Sequence, residues 1–495
     1  MFKRHKHNLS HTDSYSLNMG GFYPIACREV TPGESVRQNT DAVIRSLPLN
    51  APLMHEVEIM ITHAFIPHRL TLDEFEDFIT GGPDGLDATV FPTIDFSSSP
   101  ITKSDLGHYL GLPIGFDGTC SALPFRAYAL FYNDHILDEE LQTPVGLDTS
   151  AGADTTTNTT LQNVNWARDR FTGSNANEQL GAVISIPLGS TADVISDGST
   201  PNVTGAGLTN SNMQGSNTGS VNRIRAAGNF TSQADIVFGN NTGLVTDLSG
   251  AASATINELR EAIALQKFAE MRQLYGSTME KMLKHDFGVT PQDMRLGNSE
   301  ILGRGRGILQ FSEVLQTAEG TDPVGEMKGH AIARVRSNKY QKFFPEFGYV
   351  MSFVAIRPKP VYSQGVPRHF LKNTKEDFFS PHLQNMGVSQ EIQNQEVKHN
   401  HSAPTDRFAF EPTYQEYRKS FNRVGGEFAD TGTLAYWNMA RDLSGDPALN
   451  SSFITCSPTD RVFAQSVTDN ILGMFRQNIV SRSLVKKSVK PVGLI

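Results

Sequence analysis

The sequence predicts a mainly β fold, a double-sheet jelly roll whose long loops carry several helices and one large surface insertion. Three observations predict it. Apolar runs of strand type lie far apart in the chain and are separated by capped helical stretches, without regular βαβ alternation. Glycine (42) and proline (25) are frequent and charge is only 19%, which favours β structure with long loops over helix bundles. Residues 146–250 then change character: Thr, Ser, Asn, Gly and Ala dominate, as in Thr155-Thr156-Thr157-Asn158-Thr159-Thr160, and no lysine occurs from Ser104 to Gln266. A weakly charged excursion between patterned flanks reads as an insertion carried by one folded body. The expected organisation is a first part of the body with a basic N-terminal arm (1–145), the insertion (146–250), and a long helix, the rest of the body and a basic tail (251–495).

The elements follow in order. Val57, Ile59, Ile61 and Phe65 fall on one face at period two, with Glu58 and Thr62 opposite, and Pro67 ends this strand. A helix is expected next, with Thr71 as N-cap, Glu74 completing a capping box and Gly81 as the stop. The aromatic-rich stretch 123–136 reads as a short helix. Thr255 and Glu258 form a second capping box, and the spacing of Ile256, Leu259, Ile263, Phe268, Met271, Tyr275, Met279 and Met282 predicts one long helix over 256–284 packed on the outside of a sheet. Strand signals resume where Ala331, Ala333 and Val335 alternate with Ile332, Arg334 and Arg336. The run 349–356 is apolar on both faces, as in a strand inside a two-layer sandwich. Arg357-Pro358-Lys359-Pro360 is expected to be a turn or edge. A last short helix is expected after Thr413, with Glu416 in its cap.

Chemistry-bearing patterns are sparse. Cys27, Cys120 and Cys456 are too far apart for a zinc ligand set and read as buried small hydrophobes in a reducing compartment. His63 and His68 are separated by five positions with Pro67 between them, which excludes a helical metal pair. His5, His7 and His11 lie among lysine and arginine, which repel a cation. Gly303-Arg304-Gly305-Arg306-Gly307 lacks the lysine-serine ending of a phosphate loop and reads as an exposed turn. No nucleophile elbow or carboxylate pair stands out, so no catalytic residue, metal ligand or cofactor is assigned. No run of about 18 apolar residues is present that could span a membrane. The other function class weighed is a carbohydrate-binding or carbohydrate-active β-sandwich. It would need clustered aromatics and a carboxylate pair, whereas only Trp166 and Trp437 occur.

Charge placement is more informative than the net charge of −9. Lys3, Arg4 and Lys6 open the chain. No acid follows Asp469, while Arg476, Arg482, Lys486, Lys487 and Lys490 accumulate. Between Glu326 and Glu346, Arg334, Arg336, Lys339 and Lys342 are interleaved with Tyr340, Phe343 and Phe344. Basic residues among aromatics suit phosphate neutralisation and base stacking on single-stranded nucleic acid. The expected nucleic-acid residues are Lys3, Arg4, Lys6, Arg334, Arg336, Lys339, Lys342, Arg482, Lys486, Lys487 and Lys490.

A set of ordered segments carries a family resemblance. Pro48-Leu49-Asn50-Ala51-Pro52 and Ile66-Pro67-His68-Arg69 come first, then Thr255-Ile256-Asn257-Glu258-Leu259-Arg260 and His285-Asp286-Phe287-Gly288-Val289-Thr290. Asp293-Met294-Arg295-Leu296, Glu300-Ile301-Leu302-Gly303, Val314-Leu315-Gln316-Thr317 and Phe347-Gly348-Tyr349-Val350 follow, and then Tyr362-Ser363-Gln364-Gly365, Asn385-Met386-Gly387 and Tyr414-Gln415-Glu416-Tyr417-Arg418. In order and spacing the chain resembles the major capsid proteins of the Microviridae, in their gokushovirus-like branch. It departs from them in the make-up of its insertion and around 451–457. The resemblance implies an eight-stranded antiparallel jelly roll of viral capsid type, sixty copies of which, through pentamers, form a T=1 shell around circular single-stranded DNA. It implies an internal scaffolding protein, a minor pilot protein and a small basic DNA-binding protein as partners. It also implies assembly in the bacterial host cytoplasm, a place in the virion, and threefold protrusions built by the insertion. Ser199, Asn202, Asn210, Asn217 and Ser220 would then face a host-cell surface receptor.

Overall fold

The fold is described from a computed structural model. It describes residues 3–182, 184, 193–196, 202–205, 208–217, 222–226, 237–238, 244–247, 256–276, 279–289, 297–317, 324–384, 387–429, 434–465 and 469–487. Cα proximity divides the chain into a first unit, Met1–Glu178 with Arg272–Ile495, and a second unit, Gln179–Met271.

The first unit is built on two antiparallel sheets. Its strands are β1 (His5–Asn8), β2 (His11–Leu17), β3 (Phe22–Val30), β4 (Glu34–Ser46) and β5 (Val57–Pro67), then β6 (Glu300–Ile308) and β7 (Gln310–Leu315). β8 (Met327–Arg336), β9 (Tyr340–Phe344), β10 (Gly348–Pro358) and β11 (Ile471–Ser483) complete the set. The seven-stranded sheet runs β1-β11-β4-β8-β7, with β2 also on β11 and β9 also on β4; the four-stranded sheet runs β6-β5-β10-β3. The inner faces meet in one apolar cluster that takes Ala42, Ile44, Ala333, Val335 and Phe475 from the first sheet and Ile25, Ile59, Ile61, Val354 and Ile356 from the second. A smaller cluster at the other end joins Val36, Phe344 and Ile479 to Val30, Phe65 and Val350.

Between the two clusters, β4, β5, β10 and β11 place polar residues inward. His63 of β5 is fully buried, with Nδ1 2.8 Å from Ser352 Oγ and Nε2 2.8 Å from Ser337 Oγ. Ser337 Oγ accepts from the Thr40 amide at 2.8 Å. Gln38 donates to Ser352 at 3.1 Å and to Gln477 at 3.3 Å, and Tyr340 OH donates to Gln38 at 2.8 Å. A buried polar group is costly unless hydrogen-bonded, and bonds from five strands serve most of this seam, Gln477 Nε2 being left without a partner.

The outer face of the four-stranded sheet is covered as well. Helix α1 (Leu123–His135), started with Pro124 in its first turn, lays Phe125, Tyr128 and Phe131 over Phe22, Ala64, Ile66, Met351 and Phe353. Phe353 stacks between Phe22 (4.7 Å) and Phe131 (4.6 Å), and Tyr128 OH donates to the Phe22 carbonyl at 2.9 Å. The two apolar faces of β10 therefore have different partners, a sheet and a helix.

Several expectations are corrected. The helix after β5 is Phe75–Thr80, capped by Glu74 without a side-chain bond, and Gly81 ends it at φ 83°. Thr71 instead donates to the His68 carbonyl at 3.0 Å. The long helix is two, α2 (Ile256–Tyr275) and α3 (Met279–Asp286), interrupted at Gly276, whose φ of 91° no helix accommodates. Apolar Ile256, Ile263 and Phe268 of α2 are exposed, and its buried residue is Ala269. The segment after Thr413 forms a 3-10 turn, Gln415–Tyr417, without a side-chain cap.

The Gly-Arg repeat is strand β6, not a turn. A Cβ on Gly305 would lie 2.7 Å from Ser337 Cα and one on Gly307 2.3 Å from Val335 Cγ2, so the glycines let the sheets close at this edge. β10 continues through Arg357 to Pro358. Its pairing with β3 ends at Ala355, so the proline meets a neighbour on one side only. Cys456 is buried, but Cys27 and Cys120 are only half-buried.

The first third of the polar stretch, through Glu178, lies in the first unit, where Trp166 and Phe171 are buried. In the second unit, Leu208–Asn217 pairs with Asn202–Gly205 and Asn222–Ala226, and Asp193–Ser196 pairs with Leu244–Asp247.

Candidate nucleic-acid interface

The seven-stranded sheet has a second face, turned away from the sandwich core, and strand alternation decides what it shows. β8 buries Ala331, Ala333 and Val335 and therefore exposes Ile332, Arg334 and Arg336. β11 buries Ile471, Phe475 and Ile479 and exposes Leu472, Met474, Arg476 and Arg482. β4 exposes Arg37 and Arg45.

Register sets these side chains in rows. Thr12 pairs with Arg476, Arg476 with Asp41, and Asp41 with Arg336. The next row is Ser14, Met474, Val43 and Arg334, and beyond it Ser16, Leu472, Arg45 and Ile332. Toward the other end, Lys6 pairs with Arg482, Arg482 with Ser35, and Ser35 with Phe343. Arg37 lies between Val480 and Gln341. Successive rows on one face are about 6.6–6.8 Å apart, so the cations are spread across the sheet.

In these rows the acid is Asp41, whose Oδ1 lies 3.5 Å from Arg336 Nε. Exposed apolar side chains sit among the cations: Leu472 (47%), Met474 (48%), Ile332 (40%) and Phe343 (48%). Arg4 places its guanidinium 4.9 Å from the Phe343 ring centroid. Such a face can neutralise phosphates and offer flat apolar contact to bases without demanding a sequence.

Of the residues expected from sequence, Lys6, Arg334, Arg336 and Arg482 stand on this face. Arg4 joins it through Phe343. Lys3 and Lys339 are exposed outside the strands, and Lys486 and Lys487 are exposed beyond β11. Lys342 is turned away: buried Tyr340 and Phe344 set its alternation, and its ammonium meets Glu300 of β6. Lys490, Ser199 and Ser220 lie outside the described residues; Asn202, Asn210 and Asn217 are on strands of the second unit. Sequence reasoning missed Arg37 and Arg45, and it placed Arg476 in a tail rather than in a central strand. The available signal was the even spacing of Arg37, Val43 and Arg45 about Asp41 in β4.

Three of the histidines are engaged elsewhere. His63 lies within the polar seam. His68 packs its ring 4.6 Å from Tyr349 and 5.0 Å from Phe75. His11 Nε2 lies 3.2 Å from Asp13.

A family model described as Capsid protein (F protein) matches residues 1–490. The chain belongs to this capsid protein family. Capsid protein VP1 of Bdellovibrio phage phiMH2K is 29% identical over 471 residues, spanning 91% of this chain and 87% of that protein. Capsid protein VP1 of Chlamydia phage 1 is 25% identical, spanning 93% and 91% of the two chains. For Capsid protein VP1 of Spiroplasma virus 4 the identity is 26%, with 94% and 90% covered. The Microviridae resemblance read from the sequence therefore stands, and the F protein family is one of structural virion components rather than enzymes. Among the described residues, no helix is long and apolar enough to cross a membrane.

Proposed function

We propose that this capsid protein self-assembles into a T=1 icosahedral shell of sixty copies around a circular single-stranded DNA genome, with the seven-stranded sheet facing inward. The observation that carries the reading is the outer face of that sheet, where Lys6, Arg37, Arg45, Arg334, Arg336, Arg476 and Arg482 stand in register around Asp41. A face so charged and so apolar suits a packaged polyanion.

Strand order supports an eight-stranded viral jelly roll. Taking β1 with β2 and β8 with β9 as single strands, and leaving out the β7 edge, the chain order is β2, β3, β4, β5, β6, β8, β10, β11. The first, eighth, third and sixth then form one sheet, and the fifth, fourth, seventh and second form the other. That interleaving is what two Greek keys produce. The second unit, with Asn202, Asn210 and Asn217 on its strands, is the element read as displayed for host attachment. Scaffolding, pilot and small basic DNA-binding proteins are the partners the resemblance implies, with assembly in the host cytoplasm.

The test has two parts. The purified protein, viewed by negative-stain microscopy, should form closed particles tens of nanometres across. Reversing Arg334 and Arg476 to glutamate should leave shells forming while their DNA content falls. Full DNA content in such shells defeats the inward assignment, and a lone monomer that turns over a small sugar defeats the capsid reading itself.

A further inference from the structure

Two surfaces of the first unit are left unmatched by the functions above, and they complement each other. Between Arg69 and Lys103 the chain carries no lysine, arginine or histidine. Asp73, Glu76, Asp77, Asp84 and Asp87 are exposed there. The short helix ends at Gly81, and the loop beyond it exposes Leu86 (79%) and Val90 (66%). An acidic loop tipped with apolar side chains is costly to leave in water and marks a contact surface.

The opposite character appears at a cleft of about 370 Å³ lined by Arg368, His369, Lys372, Tyr417, Lys419 and Arg423. Its carboxylate, Glu416, is held by Lys372 at 3.0 Å. Arg368 is anchored by Glu396 at 2.8 Å and by the Glu391 carbonyl at 2.6 Å. Among the described residues His369, Lys419 and Arg423 have no carboxylate within ion-pair distance. Around the cleft Phe370 (69%), Phe378 (59%) and Tyr417 (60%) are exposed.

We propose that, in the assembled shell, the acidic apolar loop at 73–90 of one copy seats in the basic aromatic cleft at 367–372 and 416–423 of the next. The inference rests on the self-assembly reading above. Charge sign and apolar content match across the two patches, and among the described residues no ion pair joins them within one copy. Two different patches of one chain meeting head to tail make a heterologous contact, the kind that closes into rings. Complementary charge then fixes which neighbour is accepted and in what register. Nucleic acid in the cleft would leave the acidic loop unexplained, whereas one contact between copies accounts for both.

The test treats assembled particles with a water-soluble carbodiimide, which joins an amine to a carboxylate only at direct contact, followed by mass spectrometry. Cross-linked peptides should join Lys419 or Lys372 to Asp77, Asp84 or Asp87, in oligomer bands absent from unassembled chain. K419E/R423E should lower particle yield on the order of tenfold, and D84K/D87K added to the same chain should restore it. Particles without that cross-link overturn the proposal, as does K419E/R423E assembling at full yield while losing only DNA, which assigns the cleft to nucleic acid. If the unmodified chain forms no particles, the assembly reading fails first and this contact falls with it.

Discussion

Acidification should unfold the sandwich body through its polar seam, and His63 is the residue to test. Burial pushes the His63 ring down to about 4, and burial does the same to His68, also to about 4. In the unfolded chain both titrate near the ordinary value of about 6.5. Above that pH both states are neutral and neither histidine contributes. As pH falls below it, the unfolded chain takes up protons that the folded chain refuses, so stability is lost until pH reaches about 4. At about 1.4 kcal/mol per unit, each histidine removes about 2 kcal/mol between pH 7.5 and pH 5, and about 3 kcal/mol by the end of the window. His63→Gln keeps a donor and an acceptor for Ser337 and Ser352 but cannot titrate. Urea unfolding followed by tryptophan fluorescence reports on this unit, because Trp166 and Trp437 both belong to it. Between pH 7.5 and 5 the variant should lose about 2 kcal/mol less than the wild-type chain. An equal loss in both chains would refute the reasoning.

Other outcomes follow from the packing and the charge layout. Gly307→Val should destabilise by about 1–3 kcal/mol, because even a Cβ would lie 2.3 Å from Val335 Cγ2; thermal denaturation measures it. Arg170→Met leaves Glu411, which the guanidinium holds at 2.6 Å, buried without its cation, and takes from Glu396 one of two, the other being Arg368. It should cost about 3–5 kcal/mol, read by the same unfolding curve. Arg334→Gln with Arg476→Gln should flatten the salt dependence of single-stranded DNA binding by about 0.7 for each phosphate no longer neutralised, measured by titration at several salt concentrations. Removing residues 199–220 should leave the melting of the first unit unchanged and impair host attachment. Loss of soluble protein would show that the segment supports the core.

The parts of the fold that were legible in sequence are those where alternation and burial agree. β5 and β8 alternate cleanly because Ile59, Ile61, Ala333 and Val335 face an apolar cluster while their neighbours face water or a helix. β4 and β11, the central pair of the seven-stranded sheet, were not recognised as strands. Their inward positions include Gln38, Thr40, Gln477 and Ser481, so a search for an apolar stripe breaks at the seam. Losing β4 also hid Arg37 and Arg45, since a cation can be assigned to a face only after its strand is known. Lys342 shows the converse. It lies in a basic aromatic stretch, yet Tyr340 and Phe344 fill the core and turn it toward Glu300. The Gly-Arg repeat misled because a glycine needed for close approach of two sheets has the same letter as one needed for a turn.

The seam has a consequence for assembly. Hydrocarbon slides over hydrocarbon at little cost, and two greasy sheets alone could settle one repeat out of step. A polar band locked across both sheets acts like a key in a keyway: shifting either sheet by two residues would draw His63 away from Ser337 and Gln38 away from Ser352. Every copy thus presents its edges and loops at the same height, which is the tolerance that closure of many identical pieces demands.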